Sequence, residues 1–345
     1  MPASTSLRHP RNIAARRTFV STRKRALLAT ASVAAIAPLA LPSFAQNYPA
    51  RPVRWIVPLP AGGGADIVAR TVAQRLVDRL GQQIIIENRG GGGTLIGSEL
   101  AARATPDGYT LFLGTATTHG INSSLVKKLP YEPVKDFAPV SLVAILPLVL
   151  VTHPGVAAQS VGELVALAKA TPGHIFFAST GNGSSIQLAG ELLRIKSGAK
   201  MIHVPYKGAA GAVTALLARE VHWMFTTVPP VVEHVRAQRM RAIAMALPKR
   251  SSLMPNVPTV NEAGIGGVEV YSWNGLLVPA GTPKPIVDRL HAEVVRIMKL
   301  PEVVERFAGL GAEPAYSTPM EFTRFIDDEI AKYAAVVKET GAKID

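Results

Sequence analysis

Cysteine is absent from the 345 residues. That omission removes disulfides, thiolate catalysis and cysteine-based metal sites together, and leaves core burial as the source of stability. Seven histidines remain after residue 45, scattered singly, so no metal site is expected, and no cofactor either. The signatures of common catalysis are missing as well. There is no G-x-S-x-G elbow, no H-E-x-x-H and no close pair of acids framed by histidine. A long apolar run is also lacking after residue 45. Pro139 to Val151 is the nearest, but it is short, contains Pro147 and reads as a buried strand or crossover.

Acidic residues are missing from one stretch in particular. Residues 1–45 carry Arg8, Arg11, Arg16, Arg17, Arg23, Lys24 and Arg25 with no Asp or Glu. Ala26 to Leu41 follows, small and apolar, and Ser43-Phe44-Ala45 has the small residues of a cleavage site. This is the pattern of a secretory signal peptide; a membrane anchor is the alternative, disfavoured by length and Pro38. Arg16-Arg17-Thr18-Phe19 resembles a twin-arginine signal, but three more basic residues precede the apolar region, which leaves Sec and Tat export both open. The whole chain has 37 Lys+Arg against 24 Asp+Glu. Removal of seven leader cations leaves 30 minus 24, or +6, over 300 residues. No basic stripe with interleaved aromatics survives, so nucleic acid is not an expected partner, while a modest positive field favours small anions.

What is present is an alternation of short β-branched runs and longer helical patterns, which predicts an α/β fold with mostly parallel sheets. The most informative stretch is Pro58-Leu59-Pro60-Ala61-Gly62-Gly63-Gly64-Ala65-Asp66, between a strand at Val53–Val57 and a helix at Ala65–Leu80. A glycine turn there aims bare N–H groups at the positive end of a helix dipole, where anions bind. It lacks the G-x-G-x-x-G spacing and a following Gly-Lys-Ser/Thr, so neither a dinucleotide nor a P-loop reading holds. An ordinary βα turn is the plain alternative. Asp66 reads as helix-dipole compensation, as a ligand contact or as an organiser of the loop amides.

A second loop, Ser179-Thr180-Gly181-Asn182-Gly183-Ser184-Ser185, again sits between strand and helix and is dense in hydroxyl and amide groups. Facing the first loop, it would complete an anion cage without a contacting Lys or Arg. A third segment, Thr115-Ala116-Thr117-Thr118-His119-Gly120-Ile121-Asn122, follows a strand at the end where open parallel sheets bind ligands. His119 has the plainer reading of an ordinary loop histidine. Gly90–Gly93 reads as a flexible turn, and Trp223 and Trp273 as core or cleft-wall residues. The remaining pattern predicts helices at Val161–Ala170, Ile186–Lys196, Ala209–Leu217, Val231–Ala237, Pro285–Met298 and Pro319–Thr340. Two lobes with crossovers near residues 141–151 and 265–275 accommodate these elements. A Ser from the second loop with a spatially adjacent His leaves one catalytic alternative: an exported serine hydrolase acting on a small carboxylate ester or amide.

The chain resembles the Bug-type extracytoplasmic solute receptors, the TctC-like substrate-binding subunits of tripartite tricarboxylate transporters. The resemblance spans almost all of the chain after residue 45. It rests on Tyr48-Pro49 to Pro58, Gly62-Gly63-Gly64-Ala65-Asp66, Glu87-Asn88-Arg89, Pro106-Asp107-Gly108-Tyr109-Thr110, Leu129-Pro130-Tyr131 and Lys135-Asp136-Phe137, then Ser179 to Ser184, His203-Val204-Pro205-Tyr206-Lys207-Gly208, Val257-Pro258-Thr259 and Pro279-Ala280-Gly281-Thr282-Pro283.

The resemblance implies a two-lobed periplasmic binding protein, type II-like, that closes over a small carboxylate and passes it to membrane transporter subunits. It implies no catalysis and a monomer. The lobes are expected at 46–146 plus 266–345 and at 147–265, after a leader at 1–45. The ligand site is expected to comprise Gly62, Gly63, Gly64, Asp66, Thr117, Thr118, His119, Ser179, Thr180, Asn182, Ser184, Ser185 and Tyr206. Thr226, Thr227, Trp273 and Asn274 are expected at the variable end. There the chain departs from its family: Phe225-Thr226-Thr227 stands where many members have Phe-Asp-Asn, and Asn274 follows Trp273 where an aromatic is usual. A dicarboxylate, a tricarboxylate, an amino-acid-like acid and an aromatic acid all remain open as ligands.

Overall fold

A computed structural model describes residues 48–343, so the expected leader at 1–45 lies outside the described residues. The first half opens with β1 (Val53–Val57), whose β-branched run is buried almost throughout, then α1 (Gly64–Leu80), β2 (Ile84–Asn88), α2 (Leu95–Ala102) and β3 (Thr110–Thr115). A π-type turn (Ala116–Ile121) and α3 (Asn122–Leu125) follow. β1 pairs in parallel with β2 and β3. The second half repeats the scheme with α4 (Val161–Ala170), β5 (Ile175–Ser179), α5 (Ser185–Ser197), β6 (Met201–Pro205), α6 (Ala209–Leu217), β7 (Trp223–Thr227) and the short α7 (Val232–Arg236). Here β5 pairs in parallel with β6 and β7.

One long strand joins the halves. β4 (Phe137–Thr152) pairs antiparallel with β9 (Tyr271–Pro279) up to Pro147, then with β7 from Leu148 and with β8 (Arg241–Met245) from Val149. The run Pro139–Val151 is therefore a buried strand, and its partner changes at Pro147-Leu148. A single mixed sheet results, in the order β2-β1-β3-β9-β4-β7-β5-β6. The parallel trios lie at its two ends, and the antiparallel pairings come from the connecting strands.

Three apolar clusters hold this sheet. Trp55, Val68, Leu76, Leu290 and Phe307 pack α1, α8 (Lys284–Met298) and α9 (Pro301–Leu310) on the first half. Met224, Val213 and Leu216 pack α6 on the second. The third cluster runs under both halves, from Phe112 and Trp273 through Leu148 to Phe177 and Trp223, and α10 (Pro319–Thr340) covers it with Phe322, Ile326 and Tyr333. An ion pair from Lys196 on α5 to Glu339 ties the same helix to the second half.

Side-chain caps begin α4 and α10. Thr318 and Glu321 form the reciprocal box at the start of α10. At α4 only half of the box forms, because Glu163 reaches back to the Gln159 N–H while Ser160 accepts from the Glu163 N–H. The helix α9 and the two-residue β10 (Glu313–Pro314), which pairs with β4, were not anticipated from the sequence. Only Val303 and Phe307 of α9 are fully buried, so its apolar stripe is narrow.

Candidate functional site

The parallel strands of both halves end at the same cleft. Chain direction dictates this, because every βα turn leaves a strand at its C-terminal end. Between the halves lies a cavity of about 900 Å³. Three helices begin at its wall: α1 with Gly63, Gly64 and Ala65, α5 with Ser184, Ser185 and Ile186, and α6 with Gly208 and Ala209. The first N–H groups of a helix have no partner within it, so these starts offer hydrogen-bond donors and the positive ends of three dipoles. No Asp, Glu or Arg lines the cavity, and Lys207 is its single charged side chain. The remaining polar side chains of the wall are uncharged (Thr117, Thr180, Asn182, Tyr206, Thr227, Ser272 and Asn274), and Leu59, Leu146 and Ile186 give it a substantial apolar part.

The first loop is tied down by Asp66. Its carboxylate is buried, accepts the Gly62 N–H at 2.9 Å, and takes Arg70 Nε on both oxygens at 3.0 and 3.1 Å. Asn88 Nδ2 adds a bond at 3.0 Å and also donates to the Leu59 carbonyl. Burial pushes the Asp66 carboxyl up, but the bonds from Arg70, Gly62 and Asn88 outweigh it and hold it below its ordinary value. Asp66 and Gly62 therefore do not line the cavity; they fix the loop so that the next amides, from Gly63 on, face it.

The second loop is built the same way. Gln187 Oε1 accepts the Gly183 N–H at 2.7 Å. The Ser184 hydroxyl donates to the Gly181 carbonyl at 2.7 Å and accepts the Gln187 N–H at 3.2 Å, so it is an N-cap. Ser179 is buried outside the cavity, where its hydroxyl meets His203 Nε2 at 2.7 Å. The third neighbour of that pair is the Gln187 amide, 3.5 Å from His203 Nδ1 and not an acid. The geometry thus lacks the carboxylate that orients a hydrolase histidine.

Two glycines set how closely the halves approach. A Cβ on Gly64 would lie 2.6 Å from Thr227 Oγ1, so only glycine permits α1 to start against β7. Gly208 has φ +94, and a Cβ there would sit 3.0 Å from Pro60 Cγ across the cleft.

Several expected site residues fall elsewhere. Thr118 and His119 are fully buried. Thr118 forms a reciprocal cap with Thr115, and His119 bonds Thr118 Oγ1 at 2.8 Å through Nδ1. Phe112, Phe137 and Trp273 surround the His119 ring, and burial drives it down to about 3, so it is a neutral core histidine. Trp273 faces away from the cavity because residues alternate along β9, and its Nε1 donates to Glu329 of α10 at 2.9 Å. Thr226 is buried between strands, also off the cavity wall. By contrast, Gly90–Gly93 does line the cavity, with Asn88, Thr94, Lys207 and Ser272. A signal for them existed: each segment follows the end of a parallel strand or alternates with a residue already suspected.

Among the described residues no cluster of three or more His, Cys, Asp or Glu stands ready for a metal, and no helix is long and apolar enough to cross a membrane.

The fold and the cavity define a two-lobed solute-binding protein. The chain belongs to the tripartite tricarboxylate transporter receptor family, whose profile matches residues 68–342. It is 40% identical to the protein BugT of Bordetella pertussis over 311 residues, 90% of this chain and 95% of that one. Among solved structures it is similar to an R. palustris protein with adipate, at 32% identity and a TM-score of 0.84, covering 86% of this chain and all of that one (100%). It is also similar to MatC from Rhodopseudomonas palustris with bound malate, at 33% identity and a TM-score of 0.78 over 84% of this chain and 100% of that one. Membership makes the protein a periplasmic-type solute receptor and not an enzyme, which overturns the serine-hydrolase alternative.

Proposed function

We propose that this protein captures a small carboxylate in the periplasm and hands it to the membrane subunits of a tripartite tricarboxylate-type transporter. One observation carries the reading: three helix N-termini converge on a cavity that contains no acidic side chain. Such a site attracts an anion through main-chain N–H groups and dipoles rather than through a salt bridge. Charge-assisted bonds of this kind contribute about 1.5–3 kcal/mol each, and micromolar affinity needs roughly 8 kcal/mol, so a few suffice after the cost of closure. The adipate and malate carried by two structural relatives favour the same ligand class.

Contacts to the ligand fall to Gly63, Gly64, Thr117, Thr180, Asn182, Ser184, Ser185, Tyr206, Thr227 and Asn274, while Asp66, Gly62, Thr118 and Ser179 shape the loops. The lobes at 46–146 plus 266–345 and at 147–265 move as a hinged pair after cleavage of residues 1–45, and the receptor acts as a monomer. Native mass spectrometry of the chain from residue 46, followed by a thermal-shift panel with malate, adipate and uncharged hexanediol, tests this. The acids raise the melting temperature and the diol does not. If no acid does so, the carboxylate reading fails.

A further inference from the structure

Histidines that stand singly in the sequence regroup in the second half of the fold. His174, His222 and Arg219 rim another cavity, of about 430 Å³, floored by Val156, Leu167 and Val221. It lies at the far edge of the sheet from the cleft. Ile175 begins β5 and His222 precedes β7 on this side, whereas Thr180 and Thr227, at the other ends of the same strands, line the cleft. Five residues of strand separate the two sites, about 15 Å.

Nothing balances the charge at this rim. No Asp or Glu lines the cavity, and Glu220, next to Arg219 in the chain, turns toward Tyr206. The guanidinium lies over the loop after β4: a Cβ on Gly155 would sit 3.0 Å from Arg219 Cζ, so glycine there makes room for it. Two histidines add donors of fixed tautomer. His222 Nδ1 accepts the Phe176 N–H at 3.1 Å and His153 Nδ1 accepts the Gly155 N–H at 2.9 Å, so each neutral ring carries its proton on Nε2. Burial holds both rings below their ordinary value, and the Arg219 charge adds to the effect at His153. Among the described residues no three such side chains are grouped as a metal site.

We propose that this second cavity binds a monoanionic carboxylate with an apolar body, its carboxylate on Arg219 and its body on Val156, Leu167 and Val221. One fixed positive charge calls for one negative charge. The planar guanidinium takes a carboxylate through two parallel N–H···O bonds, and the imidazole N–H of His222 is a further donor. A dianion such as phosphate would bring a second charge against an apolar floor with nothing to match it. The site stands apart from the cleft and does not depend on the reading given to the cleft.

Histidine-ring NMR of the protein tests this, with signals assigned through His174→Gln and His222→Gln. Benzoate is the probe. Benzyl alcohol lacks its charge, benzylamine reverses it and inorganic phosphate lacks its apolar body. Benzoate shifts both rings saturably and binds roughly tenfold tighter than any of the three, the worth of one charge-assisted bond. Arg219→Gln weakens that binding about tenfold. Ala157→Glu, at an exposed position of the same wall, places a carboxylate of the chain itself in the cavity and excludes benzoate, which keeps the test decisive if Arg219→Gln fails to fold. Asp66→Ala, in the cleft, leaves the shifts unchanged. The proposal is overturned if benzoate leaves the rings unshifted, if the alcohol, the amine or phosphate binds as tightly, or if the shifts survive Arg219→Gln and Ala157→Glu. Shifts that vanish with Asp66→Ala would place benzoate in the cleft and overturn it as well.

Discussion

The two glycine loops solve one problem with different chemistry. In each, a side chain in the first turn of the following helix reaches back four residues and accepts a glycine N–H: Asp66 from Gly62 at 2.9 Å, Gln187 from Gly183 at 2.7 Å. Each bond fixes the loop and leaves the amides that start the following helix, from Gly63 in one loop and from Ser185 in the other, free for an anion. The organisers differ in charge. Asp66 places a negative charge near the anion seat, and the charge is tolerable because Arg70 sits on both of its oxygens. Gln187 brings no charge, but it leans on a titratable group, His203, which in turn holds Ser179. One loop is thus stiffened by a clamped ion pair and the other by a neutral relay, and the two should fail under different insults.

The largest break in that comparison comes from Asp66→Ala. It strips one acceptor from Gly62, Arg70 and Asn88 together, so the loop loses three supports at once. A loss of about 2 kcal/mol, roughly 30-fold in affinity for adipate or malate, is expected from charged hydrogen bonds of this kind. The melting curve stays cooperative, because the change leaves the side chains of all three apolar clusters in place. Unchanged affinity by calorimetry would mean that the loop holds its shape without Asp66. The matching change in the other loop, Gln187→Ala, removes a neutral bond and leaves the Ser184 cap in place. Its cost is about 1 kcal/mol, or roughly fivefold. A Gln187→Ala penalty as large as that of Asp66→Ala would erase the distinction between charged and neutral organisers.

Much of this was legible in the sequence, and the parts that were not share a cause. Both loops, their flanking strands and helices, and the convergence of their amides follow from glycine-rich turns after β-branched runs. Family resemblance added Tyr206, Thr227 and Asn274. What the sequence could not supply was the direction of side chains at strand ends. Thr117 and His119 stand two residues apart, yet the π-type turn sends one to the cavity and the other into an aromatic cluster. Trp273 and Asn274 are adjacent and so face opposite ways, and only Glu329 on the distant α10 settles which side is the core. Gly90–Gly93 was misread as a flexible turn because its own residues carry no chemistry. Its role comes from β2 ending beside β1, a fact of pairing rather than of composition.

The smallest and most discriminating break is by pH. Burial holds the His203 imidazole below its ordinary value of 6.5, against the opposing pull of the Glu191 carboxylate. Neutral His203 fits its contacts as the tautomer that donates from Nε2 to Ser179 and accepts at Nδ1 from the Gln187 amide. A proton added at Nδ1 would set two donors face to face and push Gln187 off the Gly183 N–H. The folded value lies below the unfolded one, so this contribution is present above 6.5 and fades as pH falls through the folded value. Asp66, also depressed, titrates below its ordinary 3.8 and keeps its support throughout that range. The ratio of wild-type to Gln187→Ala affinity, about fivefold at pH 7.5, therefore shrinks toward one as pH falls below 6.5 and through the folded value of His203, whereas the ratio to Asp66→Ala stays level above the ordinary carboxylate range. Because each ratio is taken at one pH, protonation of the ligand cancels. A Gln187 ratio that stays flat while the His203 imidazole is seen by NMR to take up its proton would show that His203 does not control the second loop, and the contrast between the two organisers would then be one of strength alone.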